Sequence, residues 1–392
     1  MSYQAYKEYL AAIVDGYKKA SKSEKTRILS EANRITGLSR KHLIRTLKYS
    51  KENLLRRKAS GRPKKFPRSV LIPHIHYLWI QMERASAKRM RANYSDWLPL
   101  YEAAGFTQEV RLMLELMSAS TLERILHDIR GLEKVTKGMS LTRSPARYMK
   151  NKVPINTLDA KIDRPGFFQA DTVAHCGNSA AGPFISSVTL TDIYSQWTVN
   201  RAIPSKHGHE VRKCFTELEA GLQFTVLGIN TDSGSEFLNT PVLNYTKNKD
   251  GKDRFIFTRS RPYKKNDNCF VEQKNYTHVR ELFGYERFED PRLVVMMNEI
   301  YRDYWNPLQN FFLSTFKLKE KTRVGARVVK KYGPCMTPYD RLIQSQHLSQ
   351  DQKEKLSAQK KELNPFHLKA ELELKLEIFF NELRKSKTRE AA

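Results

Sequence analysis

No two cysteines of this chain stand close together. Cys176, Cys214, Cys269 and Cys335 are scattered without a CxxC spacing, which excludes a zinc ribbon and a disulfide framework and leaves reduced, partly buried thiols. Nor is there an apolar run long enough to cross a bilayer, or a signal peptide in MSYQAYKEYL. No membrane partner is therefore expected, and the chain reads as cytoplasmic. Acidic residues are scarce beside the basic ones: 42 Asp and Glu against 69 Lys and Arg, a net charge of +27, with a pI near 9.8. That imbalance favours a polyanionic partner. Nucleic acid comes ahead of an anionic membrane surface, because the bases are spread through folded-looking segments and no anchor accompanies them. His74 and His76, like His207 and His209, are closely spaced but have no Cys beside them, so the metal-free reading is preferred.

What is present divides the chain. Its 392 residues, 40% hydrophobic, suffice for about two to four domains. Residues 1–50 read as three helices striped by Leu10, Val14, Ile28, Leu29, Ala32, Ile35, Leu43, Ile44 and Leu47. With Gly37 breaking the second helix and Ser39 capping the third, ITGLSRKHLIRTLK has the punctuation of a helix-turn-helix. Its last helix turns Arg40, Lys41, Arg45 and Lys48 outward as phosphate and base-edge donors. A basic linker, 51–68, follows. Its Gly-Arg-Pro core with Arg62, Lys64 and Lys65 suits either a minor-groove hook or a solvated connector. Residues 69–131 form a second helical unit ending in helix, tight turn and helix, with Ser118 or Ser120 as cap. Arg124 faces outward there, beside Glu123 and Asp128, so DNA contact and a purely structural bundle both remain open.

A basic, Pro-punctuated stretch without periodicity, 132–163, is the best boundary. Residues 164–305 then read as three strands in meander (Phe167 to Ala174, Phe184 to Tyr194, Trp197 to Ile203) followed by alternating helices and strands, a mixed α/β sheet covered by helices. Three acids fall at telling places. Asp171 lies inside the first strand, and Asp232 follows the apolar run that ends at Ile229, in INTDSGSEF. Glu272 sits in the first turns of a helix capped by Asn266, Asp267 and Asn268. Three carboxylates on two strands and a helix can converge on divalent metal. After residue 305 a small basic β unit, 306–345, offers Lys317, Lys319, Lys321, Arg323 and Arg327 to DNA. Charged helices, 346–392, close the chain, with a Leu372, Leu376 and Phe379 stripe that either packs down or meets a partner.

The sequence D-T, then T-D-x-G-S-E-F, then E-x-x-N, resembles the acidic triad of retroviral-type integrases and of the bacterial insertion-sequence transposases that share their core. The resemblance covers roughly Pro165 to Tyr285, and YKKNDNCFVEQKNYTHVRELFGY looks specific to one such transposase group. It implies a ribonuclease H-like core and Asp171, Asp232 and Glu272 as ligands of two Mg²⁺, replaceable by Mn²⁺. It also implies cleavage at element ends and joining of the 3′-hydroxyls to target DNA, by a homodimer or larger assembly on double-stranded DNA in a bacterial cytoplasm. Lys264 and Lys265 would hold flanking phosphates, and Asn275 would face the same DNA. Two departures stand out: Ser233 replaces the usual Asn after the second Asp, and no His-His-Cys-Cys module precedes the core. Other readings are a DNA-binding regulator of transposition over an inactive core, and a tyrosine recombinase. The latter fits poorly because THVR lacks the His-x-x-Arg spacing.

Overall fold

The computed structural model describes residues 3–55, 66–131, 162–260, 269–324 and 327–391. The chain divides into two compact units, Met1–Lys65 and Phe66–Ala392. The first holds α1 (Tyr3–Lys19), α2 (Lys22–Thr36), α3 (Arg40–Thr46) and α4 (Lys51–Leu55), closed over Leu10, Val14, Leu29, Ala32, Leu43, Leu47 and Leu54. Ser21 and Glu24 form a capping box at the start of α2. Gly37 ends that helix at φ 72°, in the left-handed region, its N–H on Asn33 O at 2.8 Å, and Ser39 Oγ accepts from His42 N. Ile35 and Ile44, expected inside, are 36% and 38% exposed. Short helices enclose little more than one row each. Leu43 and Leu47, four apart, share that row, while Ile44 is turned about 100° from Leu43.

The second unit begins with α5 (Arg68–Gln81), α6 (Ala87–Trp97), α7 (Gln108–Leu116) and α8 (Ala119–Arg130). Ser118, rather than Ser120, caps α8 through Thr121 N, and Leu122, Ile125, Leu126 and Ile129 face inward. These helices join the hydrophobic core of the remainder. Trp97 Nε1 donates to Phe312 O at 3.0 Å and Ser314 N to Asn93 Oδ1 at 2.9 Å. Lys360 pairs with Asp96 and Lys369 with Glu83.

The central sheet has β1 (Phe167–Ala174), β2 (Ser186–Asp192), β3 (Thr198–Ile203), β4 (Gly228–Thr231) and β5 (Ile256–Arg259). Their spatial order is β3-β2-β1-β4-β5, with β1, β2 and β3 antiparallel and β1, β4 and β5 parallel. The expected mixed sheet is therefore present. The crossover from β3 to β4 carries α9 (Gly208–Ala220), and α10 (Thr240–Tyr245) links β4 to β5. After β5 come α11 (Cys269–Lys274), a π-type turn over Asn275–Arg280, and α12 (Glu281–Phe283). Then α13 (Pro291–Glu299) runs on through π-type stretches to Phe312. Pro307 lies just before a π-type stretch, where the i to i−4 ladder that its missing N–H would break is already interrupted.

That long helix closes the sheet's exposed edge. Asn298, Asn306 and Asn310 each turn a carboxamide onto alternate residues of β3, accepting from one N–H and donating to the same residue's C=O. The pairs are Ala202 (2.7 and 3.0 Å), Asn200 (3.1 and 3.2 Å) and Thr198 (2.9 and 2.7 Å). Three amides thus do what a sixth strand would do, and β3 is closed to strand addition. Asn310→Leu should cost about 2–4 kcal/mol in urea unfolding, since it strands a buried N–H and C=O at once. A loss below about 0.5 kcal/mol would mean the pairing is incidental.

The chain closes with the hairpin β6 (Leu318–Val324) and β7 (Arg327–Tyr332), then α14 (Pro338–Ile343), α15 (Gln350–Lys361) and α16 (Pro365–Ala391). The Leu372 and Phe379 stripe packs down, with Phe379 centred 5.1 Å from Phe283 and 5.2 Å from Phe288. Among the described residues no helix is long and apolar enough to cross a membrane. Just past β1, His175 is fully buried, Nε2 2.9 Å from Ser187 Oγ and its ring stacked on Phe288. Burial, then Arg280, pushes it down to about 3. A depressed value makes the stability it contributes complete above pH 6.5 and progressively lost as pH falls toward 3. Between pH 6.5 and 5 that is up to about 2 kcal/mol. Denaturant midpoints across this range should fall in the native protein and fall less in His175→Asn.

Candidate active site

Sheet register creates the site. Parallel pairing places Ala170 opposite Thr231, so the next residues, Asp171 on β1 and Asp232 just beyond β4, leave neighbouring strands side by side. Asp232 Oδ1 accepts from Gly234 N at 2.8 Å, folding the turn that follows β4. A Cβ on Gly234 would lie 2.5 Å from Glu236 Oε2 and 2.8 Å from Asp232 Oδ1, so any side chain there would displace one of the two carboxylates. Glu236, a further carboxylate, therefore faces Asp232 across this glycine.

The helix bearing Glu272 is tied to β1. Gln169 Oε1, from the residue two before Asp171, accepts from Phe270 N (3.0 Å) and Val271 N (3.2 Å), capping the start of α11. One turn on, Asn275 Nδ2 donates to Asp171 Oδ2 at 2.7 Å, and Arg280 Nη2 donates to Ala174 O at 2.9 Å. Glu272 is exposed on this helix. Among the described residues, the structure brings Asp171 and Asp232 together but gathers no three His, Cys, Asp or Glu side chains tightly enough to cage a metal.

Electrostatics mark the same spot. Burial, then Asp232, pushes Asp171 up to about 7, against the Thr172 N–H and Lys206. Glu236 is opposite in sense: burial would raise it, but Lys206, its own N–H and the Thr172 hydroxyl hold it below the usual range. Lys206 Nζ reaches Thr172 Oγ1 at 2.8 Å and Glu236 Oε1 at 3.0 Å, and Thr172 Oγ1 donates to Glu236 Oε1 at 2.8 Å. Lys206, Thr172, Glu236 and Gln169 were not singled out from the sequence. Thr172 and Glu236 stand inside the quoted acidic runs; Lys206 and Gln169 carry no local signal.

Among the described residues, Asn275 Oδ1 and Ser233 Oγ at the site are enclosed without a hydrogen-bond partner. An adjacent carboxylate pair, with Asp171 raised by burial and by Asp232, beside a carboxamide oxygen suits a hard divalent cation. Mg²⁺ keeps several waters and takes one or two protein carboxylates plus substrate phosphate. Absence of thiol and imidazole from the donor set agrees with that preference.

The remaining predicted contacts are dispersed. Arg40, Lys41, Arg45 and Lys48 are exposed on or just after α3, Arg40 reaching Ser30 Oγ at 3.3 Å and Arg45 Lys41 O at 3.5 Å. Arg124 is exposed on α8, and the two acids beside it are neutralised, Glu123 by Arg130 and Asp128 by Arg68. Lys319 is exposed on β6. Lys317 is engaged with the core, Nζ on Tyr194 O at 2.8 Å and above the Tyr194 ring. Arg62, Lys64, Lys65, Lys264 and Lys265 lie outside the described residues, as do the side chains of Lys321, Arg323 and Arg327.

Fold and site together define a mixed-sheet α/β protein with a carboxylate pair on adjacent parallel strands, Asp171 within β1 and Asp232 just past β4. The uncharacterized protein y4rM of Sinorhizobium fredii (strain NBRC 101917 / NGR234) is 33% identical over 343 residues, covering 85% of this chain and 94% of that protein. The chain belongs to the family of y4rM. No family model matches it. Among solved structures, it resembles the catalytic core domain of BIV integrase with a TM-score of 0.24 and 21% identity, over 31% of this chain and 70% of that one. It also resembles a simian T-cell lymphotropic virus intasome in complex with PP2A regulatory subunit B56 gamma, with a TM-score of 0.25 and 17% identity, over 44% of this chain and 54% of that one. Likenesses at such TM-scores carry no weight for fold or function.

Proposed function

We propose that this protein is a divalent-metal-dependent DNA transposase that cleaves element ends and joins them to target DNA. The observation that carries the reading is the juxtaposition of Asp171 and Asp232, with the helix of Glu272 tied to β1 by Gln169 and Asn275. A net charge of +27 and the exposed bases of α3 and α8 suit a polyanionic substrate. Asp171, Asp232 and Glu272 would hold two Mg²⁺, which when bound supply neutralisation of charge on the attacking and leaving oxygens of an in-line displacement.

The chain's own residues do the rest. Asn275 orients Asp171, and Gly234 N–H orients Asp232. Lys206 and Thr172 keep the Glu236 charge paired, so that it adds little repulsion to the acidic pair. In the first step water attacks the phosphodiester at the element end and a 3′-hydroxyl leaves. In the second, that hydroxyl attacks a target phosphodiester and expels the target's own 3′-oxygen, with no covalent protein intermediate. Paired ends require two active sites, hence a homodimer or larger assembly on DNA, acting in a bacterial cytoplasm.

The test searches the DNA around the gene for terminal inverted repeats and uses those found as labelled duplexes with purified protein. Nicking and joined products are expected with Mg²⁺ or Mn²⁺ and none with EDTA. Specific binding of those ends with no cleavage under any metal would instead support a regulator over an inactive core.

A further inference from the structure

One carboxylate of the site has no part in the triad. Glu236, between β4 and α10, is 6% exposed and divides its two oxygens between unlike neighbours. Oε1 accepts from Lys206 Nζ at 3.0 Å and from Thr172 Oγ1 at 2.8 Å, and Lys206 Nζ also donates to Thr172 Oγ1 at 2.8 Å. Oε2 lies with Asp232 Oδ1 beside Gly234, 2.5 and 2.8 Å from the point that a Cβ there would take. Thr172 N in turn donates to Asp171 Oδ1 at 2.8 Å, so one ammonium is bonded into the middle of the acidic group. The backbone around it is fixed. Glu236 O accepts from Asn239 Nδ2 at 2.7 Å, Phe237 N and Leu238 N close on Gly234 O at 3.2 and 3.0 Å, and the fully buried Phe237 stacks on Phe215. Any rearrangement therefore falls to the side chains.

The two partners differ in access. The Lys206 side chain is 30% exposed and that of Glu236 7%, so an anion arriving from solvent meets the lysine first. Phosphate competes for an ammonium as one point charge for another. A divalent ion needs the acceptor that the lysine now occupies, because Mg²⁺ takes carboxylate oxygen and affinity for such ions follows the charge of the ligands that reach them. Among the described residues, no three His, Cys, Asp or Glu side chains are close enough to hold a metal, and Glu236 is on its ammonium instead. On the reading of this site as a divalent-metal centre, we propose that Glu236 is a fourth metal-binding carboxylate, which Lys206 withholds until a substrate phosphate draws the lysine away. DNA then raises the affinity for the cation, and by reciprocity the cation tightens the hold on DNA.

The experiment follows free Mn²⁺ by electron paramagnetic resonance as it is titrated with the full-length protein, without DNA and without turnover. Lys206→Met should bind Mn²⁺ about tenfold more tightly than the native protein, because Glu236 is released to the ion. The double variant Lys206→Met with Glu236→Gln should return to the native affinity. If the double variant keeps the gain, loss of the lysine's charge alone explains it and Glu236 is no ligand. If Lys206→Met gains nothing, Lys206 withholds nothing. Should Lys206→Met not fold, a short duplex replaces the substitution. After subtraction of the Mn²⁺ held by the duplex alone, it should tighten binding about tenfold in the native protein and not in Glu236→Gln, and equal tightening in both overturns the proposal. Asp171→Asn separates this result from the metal reading on which it rests. Binding that Asp171→Asn abolishes but that changes at Lys206 and Glu236 leave alone overturns only the role of Glu236. Binding that Asp171→Asn leaves unchanged overturns the metal site itself.

Discussion

Asp171→Asn, Asp232→Asn and Glu272→Gln should each reduce metal-dependent cleavage and joining of end duplexes by about a thousandfold or more. Each substitution keeps shape and removes a negative charge. The charge neutralisation that a carboxylate-held metal provides is worth several kcal/mol, and each 1.4 kcal/mol is a factor of ten in rate. Binding of the same duplexes should persist. The two Asp variants should also melt no lower than the native protein at pH 8. Asp171 has a folded-state value near 7, above that of an unfolded Asp, so its ionisation costs stability as pH rises between those values. Asn removes that cost, and an inactive but equally stable protein separates chemistry from folding. The control must be chosen with care. Asp192 is buried and bonded to Gly166 N and Ser195 N, so losing it harms the fold, whereas Asp303 pairs, among the described residues, with its exposed neighbour Arg302. Native-rate cleavage by Glu272→Gln would remove that residue from the site.

How much of this was legible beforehand depended on how local each signal is. β1 occupies the expected Phe167–Ala174 because its β-branched and aromatic residues are buried on both faces of the sheet. Gly37, Ser39 and Ser118 do locally what caps do. Asp171 and Asp232 were recognisable from the runs around them, and their adjacency follows once β1 pairs with β4. The carboxamides were not legible. Gln169 and the three helix asparagines that meet β3 act across about a hundred residues of chain, and an Asn on a helix looks the same whether it meets water or a strand edge. Lys206 likewise precedes α9 with nothing to indicate that it neutralises Glu236. Ile44 failed for the opposite reason: periodicity alone over-assigns interior positions in helices too short to surround a core.

Asn275→Ala should lower cleavage about 10- to 100-fold and leave duplex affinity unchanged. The sequence resemblance set Asn275 against DNA, yet in the structure its Nδ2 is spent on Asp171 Oδ2 at 2.7 Å and its Oδ1 is enclosed. A carboxylate that must present oxygen to metal in one orientation depends on such a donor, and losing a partner of this kind typically costs that factor in metal affinity or activity. Two readouts separate the roles. A residue that positions Asp171 should shift the Mg²⁺ concentration for half-maximal cleavage upward while the salt dependence of binding stays the same. A residue that meets DNA should instead weaken binding at fixed salt without moving the Mg²⁺ requirement. Asn275→Asp sharpens the contrast: it sets a third carboxylate against Asp171 and Asp232, so cleavage should fall further than in Asn275→Ala although the side chain keeps its shape. If Asn275→Asp cleaves as well as the native protein, the hydrogen bond to Asp171 has no part in catalysis.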